Sequence, residues 1–258
     1  EMGAPIELAK NAHINMGLDH LTNTINVLKD YKFRVKNDGY DICKISIGAV
    51  GLITPWNWPL NQLFTKVASA IAAGCSILVK PSEYSPLSAR LVAEIISKSD
   101  LPKGSFNMIN GIGSNIGHLI TSDPRLSMIS FTGSTRAGIE IQKNAADTIK
   151  KVSLELGGKS AHIIFDDVNY DNAIPVALDQ CFLNSGQSCS SPTRLLVPEK
   201  DIRIIENIAL NHAKTIECIN PCDTKKGIGP LVNINQFNQV KRFIQSAIQD
   251  GHELLHGD

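Results

Sequence analysis

Cys189 closes the run Asn184-Ser185-Gly186-Gln187-Ser188-Cys189. It follows a Gly-Gln turn and stands between a helix-like segment and a strand-like run at 193–197. Such a corner can expose a thiol, and a thiol must be accessible and ionised to act as a nucleophile. Cysteine is also among the most buried residue types, so an inert core thiol is the competing reading. Glu155 ends an apolar run. Partial desolvation there would raise its pKa and suit it to general-base work. A structural pairing with Lys159 or with a helix N-terminus is the alternative. Asn57 sits in Thr54-Pro55-Trp56-Asn57-Trp58-Pro59, a stiff corner with two prolines and two tryptophans. A side-chain amide fixed at such a point can donate to a developing oxyanion, a contribution of about 3–4 kcal/mol where one donor is removed. The same corner also reads as two core tryptophans with Asn57 satisfying the turn.

Three further stretches suit a nucleotide. Lys80-Pro81-Ser82-Glu83 puts a lysine and a carboxylate together at the end of an apolar run. Such a pair can bracket ribose hydroxyls, and Glu83 would repel a 2′-phosphate, which favours NAD over NADP. A solvated ion pair explains it as well. Phe131-Thr132-Gly133-Ser134-Thr135 joins a strand to a helix, with a glycine for close approach and hydroxyls to cap. The N–H groups of that helix start favour an anion such as phosphate. Gly111-Ile112-Gly113-Ser114-Asn115-Ile116-Gly117 is not the dinucleotide fingerprint, because its last glycine is one residue late.

The elements that must position these residues alternate regularly. Apolar runs at 47–53, 75–80, 105–110, 127–132 and 151–156 read as strands. Helical patterns at 59–73, 85–98, 115–121 and 135–147 separate them. This is the pattern of βαβ units, a mainly parallel sheet covered on both faces. Ligands of such sheets lie beyond the carboxyl ends of the strands, which is where the stretches holding Asn57, Lys80, Gly113, Gly133 and Glu155 fall. Residues 5–29 read as one amphipathic helix or two broken at Gly17. Residues 31–36 and 40–46 read as a partly polar hairpin around Asn37-Asp38-Gly39, an arm able to pair elsewhere. After a boundary near Gly157-Gly158 the alternation loosens. Strand-like runs occur at 161–165 and 193–197, and helical ones at 171–184, 201–217 and 233–249.

Composition bounds the function. The chain has 258 residues, 43% hydrophobic, enough for one large domain or two ordinary ones. Twenty-five basic and 25 acidic side chains cancel, so no global field favours nucleic acid or an anionic membrane. The apolar run at 69–79 is too short to span a bilayer. Six cysteines in a core-rich chain suggest reduced thiols and a cytoplasm-like compartment. Cys218, Cys222 and His212 lack a matching second pair, so no metal site is expected.

Thr-Pro-Trp-Asn-Trp-Pro, Lys-Pro-Ser-Glu, Phe-Thr-Gly-Ser-Thr, Glu-Leu-Gly-Gly-Lys-Ser and Asn-Ser-Gly-Gln-Ser-Cys follow one another in this order. The sequence thereby resembles the aldehyde dehydrogenase superfamily, NAD(P)-dependent enzymes that oxidise aldehydes to carboxylic acids. The resemblance implies an α/β protein: a Rossmann-like cofactor domain (1–30 and 46–157), an oligomerisation hairpin (31–45) and an incomplete catalytic domain (158–258). It implies Cys189 as nucleophile, Glu155 as the base that activates water, and Asn57 with the Cys189 N–H as oxyanion hole. Lys80, Ser82 and Glu83 match the adenosine-ribose contacts, and Gly133 and Ser134 the loop against the pyrophosphate. Ile53, Thr54, Pro55, Trp56, Gly113 and Leu156 match the cofactor cleft. NAD is the implied cofactor, with NADP less favoured. A small aldehyde is the implied partner, in a homodimer or homotetramer.

Two other readings compete. A CoA-acylating aldehyde dehydrogenase resembles this chain, but such enzymes usually lack the base that Glu155 matches. A non-catalytic NAD-binding protein on the same fold would not need Cys189, Glu155 and Asn57 together. Residues 190–258 contain no match to the family's Glu-x-Phe-Gly-Pro motif, and Glu1-Met2-Gly3 is not an initiator start. The chain is therefore expected to be a piece of a longer one.

Overall fold

The computed structural model describes residues 1–257. The chain divides into two compact units, one of Glu1 and Lys10–Leu156, the other of Met2–Ala9 and Gly157 onward. Residues 2–9 thus group with the second unit, where the sequence placed them with the first. A backbone bond from Ile6 N to Pro221 O at 2.8 Å helps to hold them there.

The first unit is built on a parallel sheet of β3 (Val50–Ile53), β4 (Ile77–Lys80), β5 (Phe106–Met108), β6 (Met128–Gly133) and β7 (Lys151–Leu156). Its spatial order is β5-β4-β3-β6-β7. The chain starts in the centre, winds out to one edge and returns to build the other. The order therefore reverses between β3 and β6. Every residue of β3 is buried, as expected of a strand covered on both faces.

One face packs under α3 (Pro59–Ala72) and α4 (Pro86–Ile96), where Val50, Leu52, Ile77 and Val79 meet Leu63, Val67 and Val92. The other face packs under α5 (Gly113–Ser122) and α6 (Thr135–Ala146), where Ile53, Ile129 and Phe131 meet Ile120 and Ile141. Pro59 and Pro86 stand in the first turns of α3 and α4, where a missing N–H costs nothing.

The amphipathic segment near the start forms α1 (Ile6–Leu8) and α2 (Ile14–Asp30), joined by a π-helical turn at Ala9–His13. It is not broken at Gly17, which lies buried inside α2. A Cβ there would come within 3.0 Å of Leu60 Cβ on α3, so the glycine permits a close helix crossing. The hairpin is β1 (Arg34–Asn37) and β2 (Tyr40–Cys43), antiparallel to one another. Its residues are almost all exposed.

In the second unit β8 (Ala161–Ile163) pairs in parallel with β9 (Arg194–Leu196). Ile164, Ile174 and Ile205 form a small core with α7 (Tyr170–Phe182) and α8 (Ile202–Ala213). The last helix, α9, spans Ile234–Gln249. Among the described residues, all six cysteines are free, and no helix is long and apolar enough to cross a membrane.

Candidate active site

The parallel sheet sets all its carboxyl ends on one edge. Ile53 pairs with Lys80 and with Phe131, and Gly133 with Leu156. The loops that leave this edge begin at Thr54, Pro81, Ile109, Ser134 and Gly157. The sheet thus gathers most of the candidate residues of the first unit without any of them being close in sequence.

Thr54 N donates to Lys80 O at 3.1 Å, which extends the β3–β4 ladder into the next loop. Pro55 and Trp56 are half-buried, and Trp58 is buried with its ring stacked 4.2 Å from that of His13. Asn57 Oδ1 accepts from Trp58 N at 3.1 Å. That bond ties the Asn57 side chain to the turn.

Lys80, Glu83 and Gly113 come together. Lys80 is 3% exposed, and its ammonium donates to Pro81 O at 3.0 Å and to Glu83 Oε2 at 3.2 Å. Gly113 N, at the start of α5, donates to Glu83 Oε1 at 3.1 Å. Burial pushes the Glu83 carboxyl upward. The N–H groups of Glu83 and Gly113, and then the Lys80 ammonium, outweigh it and hold the group below its usual value. A Cβ on Gly113 would lie 3.8 Å from Glu83 Oε1. Ser82 is buried, and its Oγ accepts from Tyr84 N at 3.2 Å, a turn contact. Ser134 caps α6, its Oγ accepting from Ala137 N at 3.3 Å. The remaining N–H groups of that first turn have no intrahelical acceptor.

Glu155 stands on β7 opposite Thr132 and is exposed. Strand alternation turns Leu154 and Leu156 into the core cluster and puts Glu155 on the other face of β7, where, at the edge of the sheet, it is exposed rather than buried. The sequence reading passed over Lys66, which lies buried on α3 with its Nζ 2.8 Å from Ser130 Oγ.

On the second unit, Cys189 is exposed in a turn. The corner before it comes from three consecutive residues of positive φ, Asn184 (55°), Ser185 (59°) and Gly186 (71°). Ser185 Oγ donates to Gly229 O at 2.7 Å. Gln187 Nε2 donates to Asn184 O at 3.1 Å, and its Oε1 accepts from Val232 N at 3.0 Å. Asn184 and Gln187 were legible only as parts of a motif; the geometry shows them building the thiol's corner. Among the described residues no group of acidic, histidine or cysteine side chains could hold a metal ion.

A five-stranded parallel sheet that reverses order at its centre, with its polar groups on the carboxyl edge, defines an α/β protein of Rossmann-like construction. The sequence model of the aldehyde dehydrogenase family matches residues 1–258, and the chain belongs to that family. It is 42% identical over 258 residues to 3-succinoylsemialdehyde-pyridine dehydrogenase of a Pseudomonas species, covering 100% of this chain and 54% of that protein. The crystal structure of an aldehyde dehydrogenase from Bartonella henselae superposes with TM-score 0.95 at 46% identity, over 99% of this chain and 54% of that one. Aldehyde dehydrogenase C from Pseudomonas syringae, a cysteine-to-alanine variant solved with NAD+ and octanal, gives TM-score 0.97 at 41% identity, over 99% and 53%. The chain spans about half the length of the relatives it matches.

Proposed function

We propose that the protein to which this chain belongs oxidises an aldehyde to a carboxylic acid with NAD. The observation that carries the reading is the Lys80–Glu83–Gly113 cluster at the sheet's carboxyl edge, in a chain that also exposes Cys189. The cluster fits a ribose: its carboxylate can accept from hydroxyls, its ammonium can donate, and its negative charge opposes a 2′-phosphate. Gly133, Ser134 and the α6 N-terminus suit the pyrophosphate. Ile53, Thr54, Pro55, Trp56 and Leu156 wall the same edge. NAD, when bound, supplies the hydride acceptor.

In this reading the Cys189 thiolate adds to the aldehyde carbonyl, and the resulting oxyanion is held by Asn57 Nδ2 and the Cys189 N–H. Loss of hydride leaves a thioester on Cys189. Glu155 then takes a proton from water, whose oxygen attacks the thioester. Exposure suits Glu155 to meet that water. A CoA-acylating enzyme would resolve the thioester with a thiol and would not need this carboxylate.

The β1–β2 hairpin is proposed to pair with a neighbouring subunit in a homodimer or homotetramer, and the compartment is proposed to be cytoplasmic. NADH formation across a panel of aldehydes tests the main reading. Cys189→Ala should abolish it and leave NAD binding intact. Retained oxidation in that variant would refute the nucleophile assignment, and acyl-CoA formation on adding CoA would favour the acylating alternative.

A further inference from the structure

α2 meets the start of α3 along one stripe. His13, Gly17 and His20 stand at i, i+4 and i+7, so they share a helical face. The His13 ring stacks on Trp58, with centroids 4.2 Å apart and planes at 25°. A Cβ on Gly17 would lie 3.0 Å from Leu60 Cβ and 3.3 Å from the Phe64 ring. His20 Nε2 lies 2.7 Å from Asn61 Oδ1. The glycine sets a close crossing, and a histidine engages α3 on either side of it.

His13 ends the π-helical turn Ala9–His13. Such turns are rare and often mark functional sites. This one delivers the His13 ring to the corner at residues 54–59. His13 is 7% exposed and Trp58 6%, so the stack is closed to solvent. The corner is tied at both ends: Thr54 N donates to Lys80 O at 3.1 Å, and Gln62 N donates to Trp58 O at 2.9 Å. Within it, Asn57 Oδ1 accepts from Trp58 N at 3.1 Å. The indole and the Asn57 amide therefore hang on the same residue, and a backbone rotation at Trp58 moves both. Two stacked rings restrict each other's orientation, so His13 opposes that rotation.

Resting on the reading of Asn57 as the side-chain donor of the oxyanion hole, we propose that His13 is a positioning residue for that donor. Its ring holds Trp58, and Trp58 N holds the Asn57 amide. As the Cys189 thiolate adds to the carbonyl carbon, the π electron pair of the C=O bond moves to oxygen, and the donor must already be aligned there. A misplacement of about an ångström can cost about a hundredfold in rate. His13 touches neither substrate nor cofactor in this account, and its effect passes through Asn57. What it supplies is a flat ring, which phenylalanine also has.

The test uses the complete natural enzyme with NAD and the aldehyde of the panel that turns over fastest. Rapid-mixing NADH bursts are compared for the wild type, His13→Ala, His13→Phe, Asn57→Ala and the double variant His13→Ala/Asn57→Ala, with NAD affinity measured alongside. His13→Ala should slow the burst about tenfold or more and leave NAD affinity unchanged. His13→Phe should keep the burst within about twofold of the wild type. In the Asn57→Ala background, His13→Ala should change the burst by less than about twofold, because residues that act through one another are not additive. A normal burst in His13→Ala would overturn the proposal, as would its full loss persisting without Asn57. A slow His13→Phe would overturn it too, by moving the role from the ring to a polar contact. Should His13→Ala fail to fold, His13→Gln, which has no ring, carries the same expectations. A wild-type burst in Asn57→Ala would sink the reading of Asn57 itself. A slow Asn57→Ala beside a normal His13→Ala would sink the role of His13 alone.

Discussion

Lys80 and Glu83 face each other across the first turn after β4, with Nζ 3.2 Å from Oε2. The lysine is almost fully buried, while the carboxylate side chain keeps 31% exposure. One oxygen of Glu83 thus serves the lysine, the other serves Gly113 N, and the group still reaches solvent. A ligand hydroxyl can add to this cluster without breaking it, whereas a phosphate would meet a fixed negative charge.

Glu83→Gln should therefore narrow the preference for NAD over NADP. A unit charge about 4 Å away contributes between ~1 and ~4 kcal/mol, depending on local screening. The ratio of kcat/KM for the two cofactors should fall by about fivefold or more, mainly through better use of NADP. Parallel assays with both cofactors read this directly. An unchanged ratio would remove Glu83 from the ribose site.

Lys66 makes a separate stability prediction. Its folded-state pKa, about 8, lies below the ordinary 10.5. The unfolded chain therefore binds more protons between those limits, and stability rises with pH across that window. Below pH 8 the folded state carries the full cost of a buried ammonium. Lys66→Met should be the more stable protein at pH 7, and its advantage should shrink toward pH 10.5 at up to ~1.4 kcal/mol per pH unit. Urea titrations at pH 7, 8.5 and 10 measure the difference.

Ser185 spends a left-handed conformation on the corner before Cys189 and recovers part of it in the bond to Gly229 O. Ser185→Ala keeps the strain and loses the bond, so it should cost about 1 kcal/mol. Ser185→Gly loses the bond but relieves a strain of similar size, so its net effect should be near zero. Thermal unfolding of both variants checks the ordering, which is more secure than either value.

The strands were legible because parallel strands are buried on both faces and read as apolar runs. Residues 151–156 appear as β7 with the same limits, and the helices that follow β3, β4 and β6 start within one residue of the positions read from their prolines and Thr135. The fold's outline came from that alternation, and the family from five short motifs in order. What escaped were positions where a distant contact overrides a local preference. Gly17 leaves one helix or two open in the sequence, yet Leu60, with its Cβ 3.0 Å and its carbonyl carbon 3.3 Å from a Cβ built there, makes it a close-packing position inside a continuous helix. Lys66 belongs to none of the motifs read from the sequence. Its place beside Val67 and one turn after Leu63 was the available signal, a charge on a buried stripe. Glu155 failed in the opposite sense: it lies on the other face of an edge strand and is exposed, although its neighbours are core residues. In the positive-φ run before Cys189, Asn184 and Gly186 are residue types that favour that region, whereas Ser185 gave no sequence signal.

The division of labour between Cys189 and Glu155 is tested most directly by a rapid-mixing experiment on Glu155→Gln in the complete enzyme. NADH should appear in a first burst close to one equivalent per active site, because the thiol and the hydride step are intact, and turnover should then stop with an acyl group on Cys189. Steady NADH release at the wild-type rate, with no acylated cysteine detected by mass, would contradict the account.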